Sequence, residues 1–199
     1  MIEKYEKYLD MISPYLQKYF EQQAPYIFCK EGCAICCETG LYPFSEVEFK
    51  YAMLEYETLS VEQKKKIQGK VKEIKKAKEE KGQFGEEEFV YECPFLIEKK
   101  CSIYKHRGLI CRSFGLLYFV EEENGELTNK IPCCVQDNLN YSIVYDSEKK
   151  MISAEKYEQS GITVEPLSYN VGVKFLLKNT QTEKLGLELG DQRTLIDWF

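Results

Sequence analysis

Four cysteines fall within nine residues, Cys29-Lys-Glu-Gly-Cys33-Ala-Ile-Cys36-Cys37, and no other feature of the chain restricts its folding as strongly. A thiolate is a soft, charged and short ligand, so several reach one ion only when a tight turn brings them together. Cys29-x3-Cys33-x2-Cys36 supplies three in eight residues, and Gly32 can take the positive φ that such a turn often needs. A single buried cysteine is usually a small hydrophobe, but packing alone does not gather four this closely. The other five are Cys93, Cys101, Cys111 and the adjacent pair Cys133-Cys134, so every cysteine lies between residues 29 and 134.

Disulfides persist in oxidising compartments. The N-terminus, Met1-Ile-Glu-Lys-Tyr-Glu-Lys, has no apolar segment of the signal-peptide kind, and the longest nearly unbroken apolar run, Phe114 to Val120, is far shorter than a membrane span. The expectation is a soluble, cytoplasmic protein without a membrane partner, whose clustered thiols serve a metal or catalysis. Nine is an odd number, which also argues against complete internal pairing. A chain of 199 residues can bury a core without staples. Lys+Arg 27 against Asp+Glu 33 leaves net charge −6, which disfavours a nucleic-acid partner held by a basic surface. The lysines from Lys64 to Lys78 are interspersed with Glu and lack aromatic neighbours, so they read as a solvated face.

Two metals suit all-thiolate sites. Zinc takes four thiolates in a closed tetrahedron, and a four-iron cluster also takes four cysteines. The C-x3-C-x2-C spacing fits a cluster, while the C-x2-C that opens zinc knuckles is present at Cys33 and Cys36. Spacing leaves both open, and likewise one site or two. Cys36 and Cys37, being adjacent, are expected to point in different directions, so that one serves a second site or none; Cys133-Cys134 repeats the ambiguity. A standard radical S-adenosylmethionine enzyme shares the three-cysteine spacing but is disfavoured. Ile35 stands where an aromatic residue is usual, and a charged helix follows where alternating strands and helices should be.

The expected fold is α+β, predominantly helical, with a β-hairpin and a metal-organised cysteine-rich centre. Residues 1–28 form an amphipathic helix, 29–135 a metal-binding domain with a charged helical insertion at about 45–81, and 136–199 an α/β extension packed on it. In the first helix Tyr5, Tyr8, Leu9, Ile12, Tyr15, Leu16, Tyr19 and Phe20 make one apolar stripe, with Pro14 expected to kink or restart it and Ser13 as a cap. Capping boxes start helices at Ser45-Glu-Val-Glu48, burying Val47, Tyr51, Leu54 and Leu59, and at Ser60-Val-Glu-Gln63, burying Val61, Ile67, Val71, Ile74 and Ala77. Residues 82–88 read as a flexible connection. Asn124-Gly125 is a two-residue hairpin turn between 115–122 and 126–132. Lys149 to Gln159 reads as a helix stopped by Gly161, Val171 to Leu177 as strand or helix, and Asp191 to Phe199 as a short helix docking Leu195, Ile196, Trp198 and Phe199.

Taken together, Cys29-x3-Cys33-x2-Cys36-Cys37, Cys93-Pro-Phe-Leu96 and Cys101-Ser-Ile-Tyr104-x2-Arg107-x3-Cys111-Arg112-x-Phe114 resemble the YkgJ-type cysteine-cluster family over about residues 29 to 135. The resemblance implies a zinc- or iron-chelating domain that uses these cysteines. Gly108 departs from it, because the family usually has proline after the arginine. A related cluster in the longer flagellin lysine methylases, linked there to an iron-sulfur centre and S-adenosylmethionine, implies methyl transfer as the enzymatic alternative. No Gly-rich nucleotide loop supports that alternative.

Either metal centre carries net −2 on four thiolates, so Arg107 and Arg112 are expected to stabilise it and donate hydrogen bonds to sulfur. Tyr104 and Phe114 are expected to wall it from water. His106, the only histidine, lies between basic residues and reads as a surface side chain. Three functions remain: a structural or regulatory metalloprotein, a cluster-dependent enzyme, and a thiol switch at Cys36-Cys37 or Cys133-Cys134. The last would need strained adjacent-cysteine disulfides. No catalytic residue and no protein partner emerge.

Overall fold

The computed structural model describes residues 1–30, 32–38, 40–82, 89–122 and 124–199. In chain order, α1 (Ile2–Gln22) is followed by the one-turn helix α2 (Ile35–Glu38), the strand β1 (Pro43–Ser45) and the helices α3 (Glu46–Thr58) and α4 (Val61–Gly82). Next come β2 (Leu96–Ile97), β3 (Lys100–Cys101), α5 (Leu109–Ser113), β4 (Tyr118–Glu121) and β5 (Leu127–Lys130). The remainder holds β6 (Tyr145–Asp146), β7 (Met151–Ile152), α6 (Ala154–Ser160), α7 (Val173–Leu177), α8 (Thr180–Leu185) and β8 (Gln192–Thr194). The strands pair antiparallel in twos, β1 with β8, β2 with β3, β4 with β5 and β6 with β7. The expected α+β class, mainly helical, is the one adopted. Among the described residues no helix is long and apolar enough to cross a membrane.

Two compact units interleave along the chain: unit one is Met1–Ile2, Gly32–Cys111 and Glu188–Phe199, and unit two is Glu3–Glu31 and Arg112–Leu187. In unit one the expected capping box starts α3: the Ser45 hydroxyl accepts from the Glu48 amide at 3.3 Å, and the Glu48 carboxylate accepts from the Ser45 amide at 2.9 Å. Ser60 and Gln63 exchange the same pair of bonds ahead of α4. α3 buries Val47, Glu48, Tyr51, Ala52 and Tyr56, while Leu54, expected inside, is exposed. The register is set by Ala52 and Tyr56, one turn apart and both in the core formed with Phe44, Ile67, Tyr91, Phe95, Ile103, Leu195 and Ile196.

α4 has a sparser inner face than its pattern suggested. Ile67 is buried and Val71 and Ile74 pack partly, but Val61 and Ala77 are exposed, because the first turn and the distal half reach past the core. Of the short helix expected over Asp191 to Phe199, the first part instead pairs as β8 on β1, and the rest forms a 3-10 helix (Leu195–Trp198) that inserts Leu195 and Ile196. The Trp198 indole donates to the Phe44 carbonyl at 2.9 Å. The flexible connection expected at 82–88 lies, past Gly82, outside the described residues.

Unit two is built on α1, which buries Tyr5, Tyr8, Leu9, Ile12 and Leu16 but exposes Tyr15. The helix runs unbroken through Pro14. The proline sits on the exposed face, where water can take the carbonyl it deprives, and the Ser13 hydroxyl donates back to the Leu9 carbonyl at 2.6 Å instead of capping. Between β4 and β5 the Glu122 amide donates to the Glu126 carbonyl at 2.9 Å, so the turn is longer than two residues, with Gly125 at φ +82°. α6 starts only at Ala154, capped by Ser153, because Met151 and Ile152 pair as β7; Gly161 ends it at φ +68°. Val171 to Leu177 resolves as helix from Val173.

Candidate metal centre

Unit one carries Cys33, Cys36, Cys37, Cys93, Cys101 and Cys111, the last five on or beside short elements around one core. α2 holds Cys36 and Cys37, and the Cys37 carbonyl accepts from the Cys93 amide at 2.7 Å, which lays the two segments side by side. Cys93 belongs to the buried core, and Cys37, Cys101 and Cys111 pack against that core. Cys101 is placed by the β2–β3 hairpin, whose turn residues Glu98 and Lys99 both take left-handed φ, +50° and +62°. Cys111 is placed by α5, whose first amide, that of Leu109, donates to the buried Glu48 carboxylate at 2.7 Å. Glu48 thus caps α3 with one oxygen and anchors α5 with the other. Gly108 precedes Leu109 with the Phe44 ring so close that a Cβ there would lie 2.7 Å from Phe44 Cζ. A side chain at 108 therefore has to displace the Phe44 ring.

The Cys36 and Cys37 sulfurs are 3.9 Å apart. The expected divergence of this adjacent pair is corrected: successive side chains on a helix turn by about 100° rather than alternating, so two short ones can converge. The neighbouring thiols titrate high. Burial pushes Cys111 up to about 12, with Cys101, Cys36 and the Glu48 carboxylate adding to it and Arg107 opposing. Burial also raises Cys101, opposed by the Ile103 amide and Arg107, and raises Cys93 well above the thiol range, opposed by the Phe95 amide and Lys70. The Phe95 and Ile103 amides therefore donate to the Cys93 and Cys101 sulfurs from two residues downstream.

Three neighbours differ from expectation or were missed. Tyr104 does not wall the thiols from water: it is 61% exposed and lies under the Arg107 guanidinium at 3.8 Å. Arg107 donates to the Tyr104 carbonyl at 2.7 Å and reaches the Cys111 carbonyl at 3.4 Å. His106 is half-buried rather than on the surface, its ring 4.3 Å from that of Tyr51 and its Nδ1 3.2 Å from the Glu55 carboxylate. Tyr42, which no motif singled out, is buried at φ +44°, and its hydroxyl has no hydrogen-bond partner among the described residues. Burial raises its pKa far beyond the phenol range, and Cys93, Cys37, Cys111 and Cys36 raise it further.

Unit two carries Cys29, Cys133 and Cys134, with Arg112 and Phe114 half-buried. Cys134 is buried and its thiol hydrogen-bonds that of Cys29; this bond, then burial, raises its pKa, with the Asn140 amide opposing. Cys29 and Cys133 are exposed. Asn140, fully buried, accepts from the Phe28 and Cys29 amides at 2.8 and 3.1 Å and donates to the Gly115 carbonyl at 2.9 Å. Among the described residues no three or more His, Cys, Asp or Glu side chains are arranged to hold a metal ion as they stand. The thiols of unit one share a neighbourhood rather than a finished coordination sphere.

The CxxCxxCC family, described as "Putative zinc- or iron-chelating domain", matches residues 28–135, just over half of the chain. The chain belongs to the CxxCxxCC family. The YkgJ-type resemblance read from the cysteine spacing is thereby borne out, and a metal-chelating cysteine cluster is the role that the membership supports. No curated protein matches the chain, and no solved structure matches it. The likeness to flagellin lysine methylases finds nothing here that bears on it.

The residues of this CxxCxxCC chain fit a soft cation. Every donor in the unit-one group is sulfur, whereas magnesium and calcium select oxygen. Crowded, buried thiols and the Glu48 carboxylate disfavour further negative charge, and a bound cation inverts that balance. The amides donating to Cys93 and Cys101 favour the thiolate, the form that binds metal.

Proposed function

We propose that the chain is a noncatalytic zinc protein whose centre lies in unit one, with thiolate ligands drawn from Cys36, Cys37, Cys93, Cys101 and Cys111. The observation that carries the choice of zinc is the 3.9 Å between the Cys36 and Cys37 sulfurs. Zinc–sulfur bonds of 2.3 Å in a tetrahedron set sulfurs about 3.8 Å apart. An iron-sulfur cube holds its cysteine sulfurs much farther apart, because iron and sulfide lie between them.

The ligands come from α2, the loop before β2, β3 and α5, so an ion cross-links four pieces of chain that only the folded state brings together. Closing the sphere is then coupled to ordering unit one. Cys33 stands close to α2 in sequence and is the alternative donor within the unit. Arg107 offsets the negative charge of the centre, which it already opposes at Cys101 and Cys111.

Anaerobic purification followed by elemental analysis and a visible spectrum tests the reading. A colourless protein with stoichiometric zinc is expected. Brown protein with equal iron and sulfide would replace zinc by a cluster, and protein that retains and takes up neither metal would end the chelation reading.

A further inference from the structure

Tyr42 combines two costly features. A bulky residue at positive φ is a backbone outlier, and a buried hydroxyl without a partner forfeits its hydration. Such features persist where surrounding structure imposes them, and they cluster at functional sites. Here the imposition is visible. The Leu195 amide donates to the Tyr42 carbonyl at 2.9 Å, the ring packs edge-on to Tyr91 at 5.4 Å, and its hydroxyl end lies over Gly40. A Cβ on Gly40 would stand 2.8 Å from Tyr42 Cζ and 3.0 Å from its Oη, so only glycine leaves the phenol this position. The ring shares a packed core with Cys93, against which Cys37 and Cys111 also pack.

We propose that the Tyr42 hydroxyl donates a hydrogen bond to the cysteine sulfurs of the unit-one centre, and so sets how tightly the centre holds its ion. The proposal rests on the metal reading above. A protonated phenol is a poor partner for thiols, which are weak acceptors, but a good one for metal-bound thiolates, whose sulfur carries charge. Tyr42 is therefore a positioning residue for the centre. Cys93, buried in the same core as the ring, is the foremost acceptor.

The test compares full-length wild type with Tyr42→Phe, each loaded with zinc and, separately, with cobalt(II). Zinc transfer to a chromophoric chelator should be about tenfold faster in the variant, the scale on which partners of metal ligands act. The cobalt d–d bands should keep their tetrahedral pattern while the sulfur-to-cobalt charge-transfer band shifts. The metal-free variant should melt no lower than metal-free wild type, because the deleted hydroxyl has no partner there. Faster loss of metal with no loss of metal-free stability is what a packing role cannot produce. Gly40→Ala, which displaces the ring, should speed zinc transfer as well and serves if Tyr42→Phe fails to fold. Equal transfer rates, or equal destabilisation with and without metal, would overturn the proposal while leaving the metal reading intact. Loss of the tetrahedral cobalt pattern would overturn it in favour of a phenolate ligand. Wild type that binds neither ion would remove the metal reading itself.

Discussion

The buried polar groups around Gln23 and Asn140 in unit two and those around Cys93 and Tyr42 in unit one are met in different ways. In unit two the fully buried Gln23 donates to the Glu165 carbonyl at 3.1 Å and accepts from the Leu167 amide and the Tyr141 hydroxyl at 3.1 and 3.3 Å. Asn140 is matched in the same manner, and the Tyr26 hydroxyl donates to the Val164 carbonyl. Unit one instead buries Cys93 and Tyr42 together, one with its thiol held well above the ordinary range and the other with no partner for its hydroxyl. Amide networks complete themselves with protein groups alone. A thiol network next to an unmatched phenol has the donor chemistry that a soft cation satisfies.

The largest break in this comparison should come from metal removal. Structural zinc contributes on the order of 10 kcal/mol of apparent folding free energy, so a strong chelator should strip hydrogen-exchange protection from amides within residues 32–111. Those within 112–187 should keep theirs. Equal loss in both would mean that the thiols do not organise one unit in particular.

Next in size, Cys93→Ser should weaken zinc binding by more than about 100-fold, exceeding the effect of losing a group that merely supports a ligand. Cys133→Ser, at an exposed position of unit two, should alter melting by less than about 0.5 kcal/mol and leave zinc content unchanged. Competition with a chromophoric chelator and thermal melts separate the two. Asn140→Ala is the mirror experiment. It orphans the Phe28 and Cys29 amides and the Gly115 carbonyl, and should cost about 3 kcal/mol by denaturant titration without changing metal stoichiometry.

The smallest effect concerns acid. The Asp197 carboxyl is raised by burial, but the Lys78 ammonium at 2.6 Å and the Thr194 hydroxyl outweigh that and lower its pKa. A folded-state pKa below the unfolded one gives stability that is present above about pH 3.9 and disappears as pH falls through the folded value. Because both side chains are more than a third exposed, the contribution is at most about 1 kcal/mol. Asp197→Asn should remove that slope below about pH 4 in melting curves and leave unit two unaffected.

Local signals were legible where four residues contain all the information. Ser45-x-x-Glu48 and Ser60-x-x-Gln63 each start a helix with the bonds their spacing implies, and the five buried residues of α1 follow from helical periodicity. What depends on tertiary partners was not legible. Leu54 and Ala52 are equally good helix residues, and only the neighbours of α3 decide which faces inward. The Glu98-Lys99 turn lacks the Asn or Gly that would announce left-handed backbone, so the hairpin presenting Cys101 left no mark. Cys29 and Cys33 are four residues apart in one motif yet belong to different units, a division made by contacts far along the chain. Tyr42 carries no pattern of its own, and its interest lies entirely in burial and the company it keeps.

Gly108 and Phe44 occupy adjoining space, since a Cβ at 108 would stand 2.7 Å from Phe44 Cζ. A side chain at 108 has to push that ring aside, so the two positions are coupled in energy. In this chain Gly108→Pro alone should lower stability by about 1–3 kcal/mol, and Phe44→Leu should make it tolerable, a coupling that melting of the single and double variants would show. The ring at 44 thus acts as a gauge of what the turn before α5 can carry.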